Sequence, residues 1–270
     1  MEDKEFTDII SLISKQTGIN PRESHQSGIK NFIDKRKKEI NLNGLDYYNY
    51  VCLNKKEMDV LLNHATVNET YFFREESQFQ FLKNKVMPEL HSKLALNPMR
   101  IWSAAASSGE EIYSLYLLAA SLGIKTECMA TDINTTVLEK AAEGKYKTNS
   151  VKAVDGAKFH YLLSPYMNMD KEVTFPPEIT SKIDRRQINL TKKDSIFPRN
   201  VHIIFLRNVF VYFTVEMRKQ ILQKIVDDSL APGGYIFLSM NEIATIDYKI
   251  LPKGIEKCSE GNVFYFYKKG

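Results

Sequence analysis

Several features that would identify a common class of protein are scarce in this chain of 270 residues. Its three cysteines are widely separated and have no histidines at ligand spacing, which argues against a disulfide framework and against a zinc site. No apolar run is long enough to span a bilayer, and the opening MEDKEFTDII has no signal-peptide character. We therefore expect a cytoplasmic, metal-free protein without membrane insertion, and a monomer.

The chain can be arranged around the stretch Arg100–Asp132. Its pattern predicts a strand, a loop, a helix, a second strand and then an acidic residue. The loop, residues 103–108, has side chains that are only hydroxyls and methyls, and Gly109 opens the helix. Asp132 follows that glycine by about the interval at which nucleotide-binding α/β folds hold a ribose. We expect a ligand to approach this loop closely.

This loop lacks the patterns that bind phosphate. It has neither the lysine and hydroxyl of a P-loop nor the spaced glycines of a dinucleotide fold. Glu110 and Glu111 stand in the first helical turn, where they would repel a pyrophosphate. S-adenosylmethionine has no phosphate and carries a sulfonium cation, an amino group and a ribose diol, so it fits better. In the structural alternative, the two glutamates merely favour the helix N-terminus.

Residues 1 to about 95 have helical periodicity and contain no convincing strand. Helices are predicted from Phe6 to Gly18, from about Gly28 to Leu42, over Tyr47–Leu53, over Lys55–Ala65 and from Glu75 to Leu96. We interpret residues 1–70 as a small all-helical N-terminal domain. Residues 71–99 are then a linker helix that joins it to the rest of the chain.

From residue 100 onward strands and helices alternate, which predicts an α/β fold with a parallel sheet. Residues from about 144 to 190 break the alternation and are interpreted as a small inserted antiparallel β-subdomain. The alternation resumes with a strand over Val201–Leu206 and a helix over Val215–Leu230. Asn262–Tyr267 is expected to close the sheet as an antiparallel edge.

Six motifs follow one another along nearly the whole chain. They are VNETYFFRE (67–75), IWSAAASSGEEIY (101–113), ATDIN (130–134), INL (188–190), FLRNVFVYF (205–213) and LAPGGYIFLSMNE (230–242). Together they closely resemble the CheR family, the chemotaxis receptor glutamate methyltransferases. The resemblance implies a Rossmann-like S-adenosylmethionine-dependent methyltransferase sheet with helices on both faces. It also implies methyl transfer to glutamate side chains on the cytoplasmic helices of chemoreceptors, with S-adenosylhomocysteine as the product.

The resemblance also implies a set of site residues. The cofactor contacts carried over are Asn68, Thr70, Arg74, Glu110, Asp132, Asn189, Leu190, Arg207 and Asn208. Arg74 and Tyr212 would in addition face the transferring methyl group as the catalytic residues. A carboxylate is already a nucleophile at neutral pH, so the reaction needs positioning more than a general base. We therefore assign Arg74 to orientation rather than activation.

Each assignment has a structural alternative. Phe72 and Phe73 are more readily core residues than ligand contacts. Arg74 could form a surface ion pair with Glu75 or Glu76, and Asp132 could only cap the helix that follows it. Likewise, Arg207-Asn208 could be a simple strand-end turn, and Tyr212 could belong to the core.

The chain also departs from the family pattern. Family members usually have other residues at Ala106, Ser108, Ile112 and Leu206, and Gly-His-Ser-Glu where this chain has Ser239-Met240-Asn241-Glu242. The last difference motivates a rival hypothesis, a non-catalytic cofactor-binding scaffold or sensor of a chemosensory pathway. A nucleic-acid methyltransferase is disfavoured, because no Asn/Asp-Pro-Pro-aromatic motif occurs. We expect no nucleic-acid partner.

Two receptor-binding surfaces are suggested. A basic helix face could meet glutamate-rich receptor helices; it comprises Lys30, Lys35, Arg36, Lys37 and Lys38. An ordinary solvated face is the alternative. The inserted sheet resembles the module with which some family members bind a receptor's C-terminal peptide by strand addition.

Overall fold

The computed structural model describes residues 3–21, 23–42, 46–66, 69–244, 246 and 251–270. Its first part is a helical bundle, as predicted. The helices are α1 (Asp3–Thr17), α2 (Glu23–Glu39), α3 (Tyr47–Leu53) and α4 (Lys55–Ala65). Ile9, Ile13, Ile33 and Leu61 are almost fully buried in its core. The start predicted for the second helix is wrong: Gly28 lies inside α2, on an open side of the helix.

The linker helix is present but is not uniformly α-helical. An α-helix, α5 (Glu76–Phe81), runs through a π-helical turn (Leu82–Val86) into a second α-helix, α6 (Met87–Leu94). Phe79, Leu82, Val86 and Leu90 are buried and form its apolar face. This face packs on the large sheet that follows and fixes the linker against it.

Among the described residues, the main sheet has seven strands. They are β1 (Met99–Ser103), β2 (Thr126–Asp132), β5 (Ile183–Gln187), β6 (Val201–Phe205), β7 (Leu230–Phe237), β8 (Ile255–Glu260) and β9 (Val263–Lys268). Their order across the sheet is β5-β2-β1-β6-β7-β9-β8. All pairings from β5 to β7 are parallel, whereas β9 runs antiparallel to both β7 and β8. The predicted antiparallel strand is therefore confirmed, but the prediction that it is the edge is wrong. A turn at Gly261, with φ of 55°, folds β8 back along its outer side.

Helices cover both faces of the sheet, as predicted. They include α7 (Glu110–Ser121), α8 (Thr135–Glu143), α10 (Val215–Lys224) and α11 (Met240–Ala244). After α10 the polypeptide forms a π-helical turn, Ile225–Ser229, and then enters β7 directly. Separate clusters of buried apolar residues lie on the two faces of the sheet. The sheet is thus the central layer, and its strand ends are the surface on which a site can form.

The inserted region contains less antiparallel sheet than predicted. Its strands β3 (Lys145–Tyr146) and β4 (Val173–Thr174) pair over only two residue pairs. A short helix, α9 (Pro177–Thr180), then leads into β5, which pairs parallel with β2 in the main sheet. Placing residues 183–187 in the antiparallel subdomain is therefore wrong. In the sequence of this strand, IDRRQ, Ile183 is the one buried residue and the others are polar or charged. The strand therefore lacks the apolar run of a central strand.

Within the described ranges, no helix is both long enough and apolar enough to cross a bilayer.

Candidate active site

A cleft of about 990 Å³, its open mouth included, lies at the carboxyl ends of β1, β2 and β6. The predicted site residues in its wall are Thr70, Arg74, Asp132, Asn189, Leu190, Arg207, Asn208 and Tyr212. Distant motifs of the sequence thus meet around one cavity. Asn68 lies outside the described residues.

The small-residue loop and Asp132 form one wall of the cleft. Ala104, Ala105, Ala106 and Ser107 all line it. The Ser107 backbone N–H donates to one Asp132 carboxylate oxygen at 2.9 Å, and a second backbone N–H, that of Asn134, donates to the other at 2.9 Å. Burial raises the pKa of Asp132 although these N–H groups favour the carboxylate. Each oxygen keeps a further lone pair for a ligand hydroxyl.

Asp132 is not the cap of the helix after it. The side chain of Asn134 accepts from the Val137 N–H at 3.2 Å and is the N-cap of α8. The alternative that Asp132 serves only as a cap is therefore wrong.

Glu110 requires a correction, because its side chain points away from the cleft. It is 2% exposed and accepts from the hydroxyls of Ser108 and Ser150, at 2.7 and 2.8 Å. Burial raises the pKa of Glu110. Gly109 faces the same way: a Cβ there would lie 2.8 Å from the Ala141 Cβ. Packing against α8 therefore requires a glycine at this position.

Glu111, the next residue, is the glutamate in the cleft wall. It accepts from the Ser103 hydroxyl at 2.6 Å and from the Arg207 Nε at 2.7 Å. The sequence contained the signal, a pair of adjacent glutamates. Neighbouring residues on a helix point about 100° apart, however, and only the packing of α7 shows which one faces the cleft.

Arg207 connects three parts of the wall. Its Nη1 donates to the carbonyl of Arg74 at 2.7 Å and to the side-chain oxygen of Gln78 at 3.2 Å. The guanidinium carbon lies 4.9 Å from the centre of the Phe205 ring, and the side chain is 2% exposed. Arg207 therefore holds the end of β6, the start of α7 and the linker together, which a simple strand-end turn would not do.

The linker contributes Thr70 and Arg74 to the cleft. The Arg74 Nη1 donates to the Glu69 carbonyl at 2.9 Å, and its guanidinium carbon lies 5.4 Å from the centre of the Tyr71 ring. Phe72 and Phe73 are fully buried, which confirms their interpretation as core residues. The linker thus places one arginine at the cleft while two aromatic rings anchor it.

The loop after β6 carries Asn208 and Tyr212, and Glu242 holds that loop in place. The Glu242 carboxylate is buried and accepts from the backbone N–H groups of Asn208 and Phe210, both at 2.7 Å. It also accepts from the Ser239 hydroxyl at 2.7 Å. In the altered Ser239–Glu242 segment, the two end residues therefore support the loop. None of these four residues lines the cleft.

The N-terminal domain closes one side of the cleft, which was not predicted. Thr17, Ile19, Pro21 and His25 all line it. The domain is tied down where the Asn189 side-chain amide donates to the Gln16 carbonyl at 2.7 Å. No sequence motif indicates these residues, because they reach the site only through the packing of two domains.

The basic face of α2 is partly used inside the bundle. The Arg36 Nε and Nη2 donate to the two Glu57 oxygens at 2.9 and 3.0 Å. The Lys37 Nζ lies 3.2 Å from a Glu5 oxygen. Lys35 and Lys38 are exposed.

The strand order, the reversed strand β9 and the acid at the end of β2 define the fold of the S-adenosylmethionine-dependent methyltransferases. The cleft suits that cofactor, since Asp132 can accept from a ribose diol and the first turn of α7 presents the Glu111 carboxylate where a phosphate would bind.

A family profile described as "CheR methyltransferase, SAM binding domain" matches residues 68–251. The chemotaxis protein methyltransferase of Salmonella typhimurium is 30% identical over 252 residues, which cover 90% of this chain and 84% of that protein. The corresponding protein of Escherichia coli is 30% identical over 250 residues, 90% of this chain and 85% of its own length. That of Borreliella burgdorferi is 29% identical over 252 residues, 88% and 87% of the two chains. This chain belongs to the CheR methyltransferase family, and its cofactor is S-adenosylmethionine.

Proposed function

We propose that this protein transfers methyl groups to glutamate side chains of chemoreceptors in the cytoplasm, forming glutamate methyl esters during chemotactic adaptation. The observation that carries the proposal is the convergence of Arg74 and Tyr212 on the cleft that Asp132 also lines. Relatives named chemotaxis protein methyltransferases support the choice of acceptor.

Different residues of the wall would contact different parts of the cofactor. Asp132 would accept hydrogen bonds from the ribose hydroxyls. Ala104–Ser107 would lie against the bound molecule, because their small side chains leave the backbone accessible. Thr70 and Glu111 would supply further polar contacts. When bound, S-adenosylmethionine supplies a methyl group on a positively charged sulfur.

Arg74 and Tyr212 would hold the acceptor. A glutamate is ionised at neutral pH, since its unperturbed pKa is about 4.3, and it needs no general base. The planar guanidinium of Arg74 can fix a carboxylate in a defined orientation. The guanidinium also contacts the Glu69 carbonyl and the Tyr71 ring. These contacts hold it in one orientation, which suits a role in orienting the acceptor. The Tyr212 hydroxyl can donate to the second carboxylate oxygen.

The N-terminal domain would exclude water from this arrangement. Ile19 and Pro21 place apolar groups beside the loop that carries Tyr212, and the Asn20 N–H donates to the Tyr212 carbonyl at 3.4 Å. The residues of the wall would hold the acceptor side chain in position, and positioning can supply a large part of a rate enhancement.

Receptor helices would approach through the exposed cations of α2. Arg36 and Lys37 are engaged by the largely buried Glu57 and Glu5. Lys35 has only a surface pair with Glu39, at 3.7 Å, and its side chain is 78% exposed, so the docking role falls mainly to Lys35 and Lys38. A receptor tail that added a strand to the inserted sheet would extend a β3–β4 ladder of only two residue pairs. We therefore place the main receptor contact on α2.

The non-catalytic alternative rests on the altered Ser239–Glu242 segment. Glu242, which matches the family pattern, makes the contacts that hold the Tyr212 loop, while Met240 and Asn241 are exposed outside the cleft. This arrangement favours a working enzyme.

Incorporation of labelled methyl groups tests the proposal. Purified protein, chemoreceptor-containing membranes and labelled S-adenosylmethionine should give receptor-bound label that alkali releases, as an ester requires. Asp132→Asn is the matched control, which should lose incorporation together with cofactor binding. Calorimetric binding of S-adenosylmethionine and S-adenosylhomocysteine without any incorporation would instead support the scaffold.

A further inference from the structure

The linker that carries Arg74 is held by a carboxylate from the inserted region. One Asp155 oxygen, Oδ2, accepts from the Tyr71 hydroxyl at 2.8 Å and from the Glu75 N–H at 2.9 Å. The other, Oδ1, accepts from the Glu76 N–H at 3.0 Å. Asp155 thus binds the linker on both sides of Arg74. It accepts from the N–H groups of Glu75, the N-cap residue of α5, and of Glu76, the first residue of α5, which have no partner within the helix.

The Tyr71 ring connects this carboxylate to the guanidinium. The Arg74 guanidinium carbon lies 5.4 Å from the ring centre, within the range of a cation–π contact. A second cation from the inserted region, the Lys152 ammonium, lies 5.4 Å from the same ring centre. The hydroxyl bound to Asp155 sets the position of the ring, and the ring in turn borders the guanidinium.

The linker needs such anchors because its backbone is strained. Phe73 and Glu75, on either side of Arg74, have φ values of 55° and 62°, which non-glycine residues adopt at a cost. The inserted region presses closely on the same segment, since a Cβ at Gly156 would lie 2.7 Å from the Phe72 carbonyl oxygen. A conformation of this kind persists only while surrounding contacts stabilise it.

The charge of Asp155 matters for these contacts. Burial favours the neutral acid, but the two backbone N–H groups and the Tyr71 hydroxyl donate to the carboxylate and leave the pKa of Asp155 below its usual value. An ionised acceptor makes stronger hydrogen bonds than a neutral one. An asparagine at this position has only one acceptor oxygen. Its N–H₂ group would therefore face at least one of the three donors, the Tyr71 hydroxyl and the Glu75 and Glu76 N–H groups, and lose that hydrogen bond.

We propose that Asp155 is a positioning residue for methyl transfer, which acts on Arg74 through Tyr71 and the Glu75 and Glu76 backbone. The inference rests on the proposed function of the cleft and extends it to the inserted region, which would control the orientation of the active-site arginine. A ligand or partner that moves the 152–156 segment would then change the rate of methyl transfer without entering the cleft.

A double-mutant cycle tests this role. Asp155→Asn should lower kcat for methyl transfer by on the order of 10- to 100-fold, the range that small misplacements in an active site produce. In an Arg74→Gln background the same change should cost less than about threefold, because the residue through which Asp155 acts is absent. Tyr71→Phe, which removes only the hydroxyl, should show the same pattern more weakly. Equal losses in both backgrounds would show a merely structural role and overturn the proposal.

A matched control and a second readout complete the test. Asp170 is an exposed carboxylate of the same inserted region, and Asp170→Asn should leave kcat unchanged. The cycle should also be measured on S-adenosylhomocysteine affinity by calorimetry, which needs no acceptor. If the wild-type protein methylates no chemoreceptor, the proposed function fails while this second cycle still decides the inference. Additive losses of affinity in the second cycle would count against Asp155.

Discussion

Arg207 and Glu111 form a buried ion pair, with 2.7 Å between the Arg207 Nε and a Glu111 oxygen, that joins the end of β6 to the first turn of α7. The same guanidinium donates to the Arg74 carbonyl, so the pair also fixes the linker. Removing one partner of a buried pair leaves the other charge uncompensated, which makes this contact a sensitive point of the cleft.

Glu111→Gln should therefore reduce both stability and cofactor affinity. We expect a loss of about 3 kcal/mol in the free energy of unfolding, the lower end of the usual cost of breaking a buried pair, because the Glu75 carboxylate still lies 3.9 Å from the Arg207 Nη1. Denaturant titration and calorimetry with S-adenosylhomocysteine measure the two effects. Glu110→Gln is the matched control: Glu110 faces Ser108 and Ser150 outside the cleft, so its affinity should stay within about twofold of wild type. The reverse result would restore Glu110 as the cofactor contact.

Cofactor affinity should depend on pH through Asp132. Burial raises the pKa of this carboxyl above the ordinary aspartate value of about 3.9, so it takes up a proton at a higher pH than an exposed aspartate does. The ionised form is the one that accepts from both ribose hydroxyls. Affinity for S-adenosylhomocysteine should thus weaken on acidification, and the loss should begin at a higher pH than the titration of an exposed aspartate. Calorimetry from pH 8 downward follows this, and Asp132→Asn should give weaker binding with a flatter profile.

The loop that carries Tyr212 should depend on Glu242. Glu242→Gln replaces one acceptor oxygen by a donor that faces backbone N–H groups, and we expect a loss of about 1–3 kcal/mol in stability together with reduced turnover. Ser239→Ala should have a smaller effect in the same direction. Asn241→Ala, in the same segment but exposed, should leave thermal unfolding and methyl transfer unchanged. An effect at Asn241 larger than at Glu242 would place the segment in the acceptor site after all.

Receptor docking should respond to charge on α2. Reversal of both exposed cations, Lys35→Glu with Lys38→Glu, should lower receptor methylation and weaken its dependence on salt, because electrostatic steering is lost. Thermal unfolding should change little, since neither side chain anchors the bundle core. Lys93→Glu with Lys219→Glu, at exposed positions on α6 and α10, provides the charge-matched control. An unchanged methylation rate in the double variant would remove the docking role.

Much of this architecture could be predicted from local pattern. The helices of the N-terminal domain, the alternation after residue 100 and the loop that ends in the cleft all follow from apolar periodicity and small-residue composition. The edge strands were predicted less well. Ile183–Gln187 and Ile255–Glu260 are largely polar, and they become strands only because a neighbouring strand supplies their hydrogen-bond partners.

The sequence by itself determined the class of fold, the family and the acid that would hold a ribose, because these depend on ordered motifs and on Asp132 at a strand end. Tertiary structure alone decided that Glu111 and not Glu110 faces the cleft, since a 100° difference along one helix has meaning only once that helix is packed. It also placed His25, Glu242 and Asp155 around the site. These residues are far apart in the chain, and the contacts that give them a role exist only between folded parts.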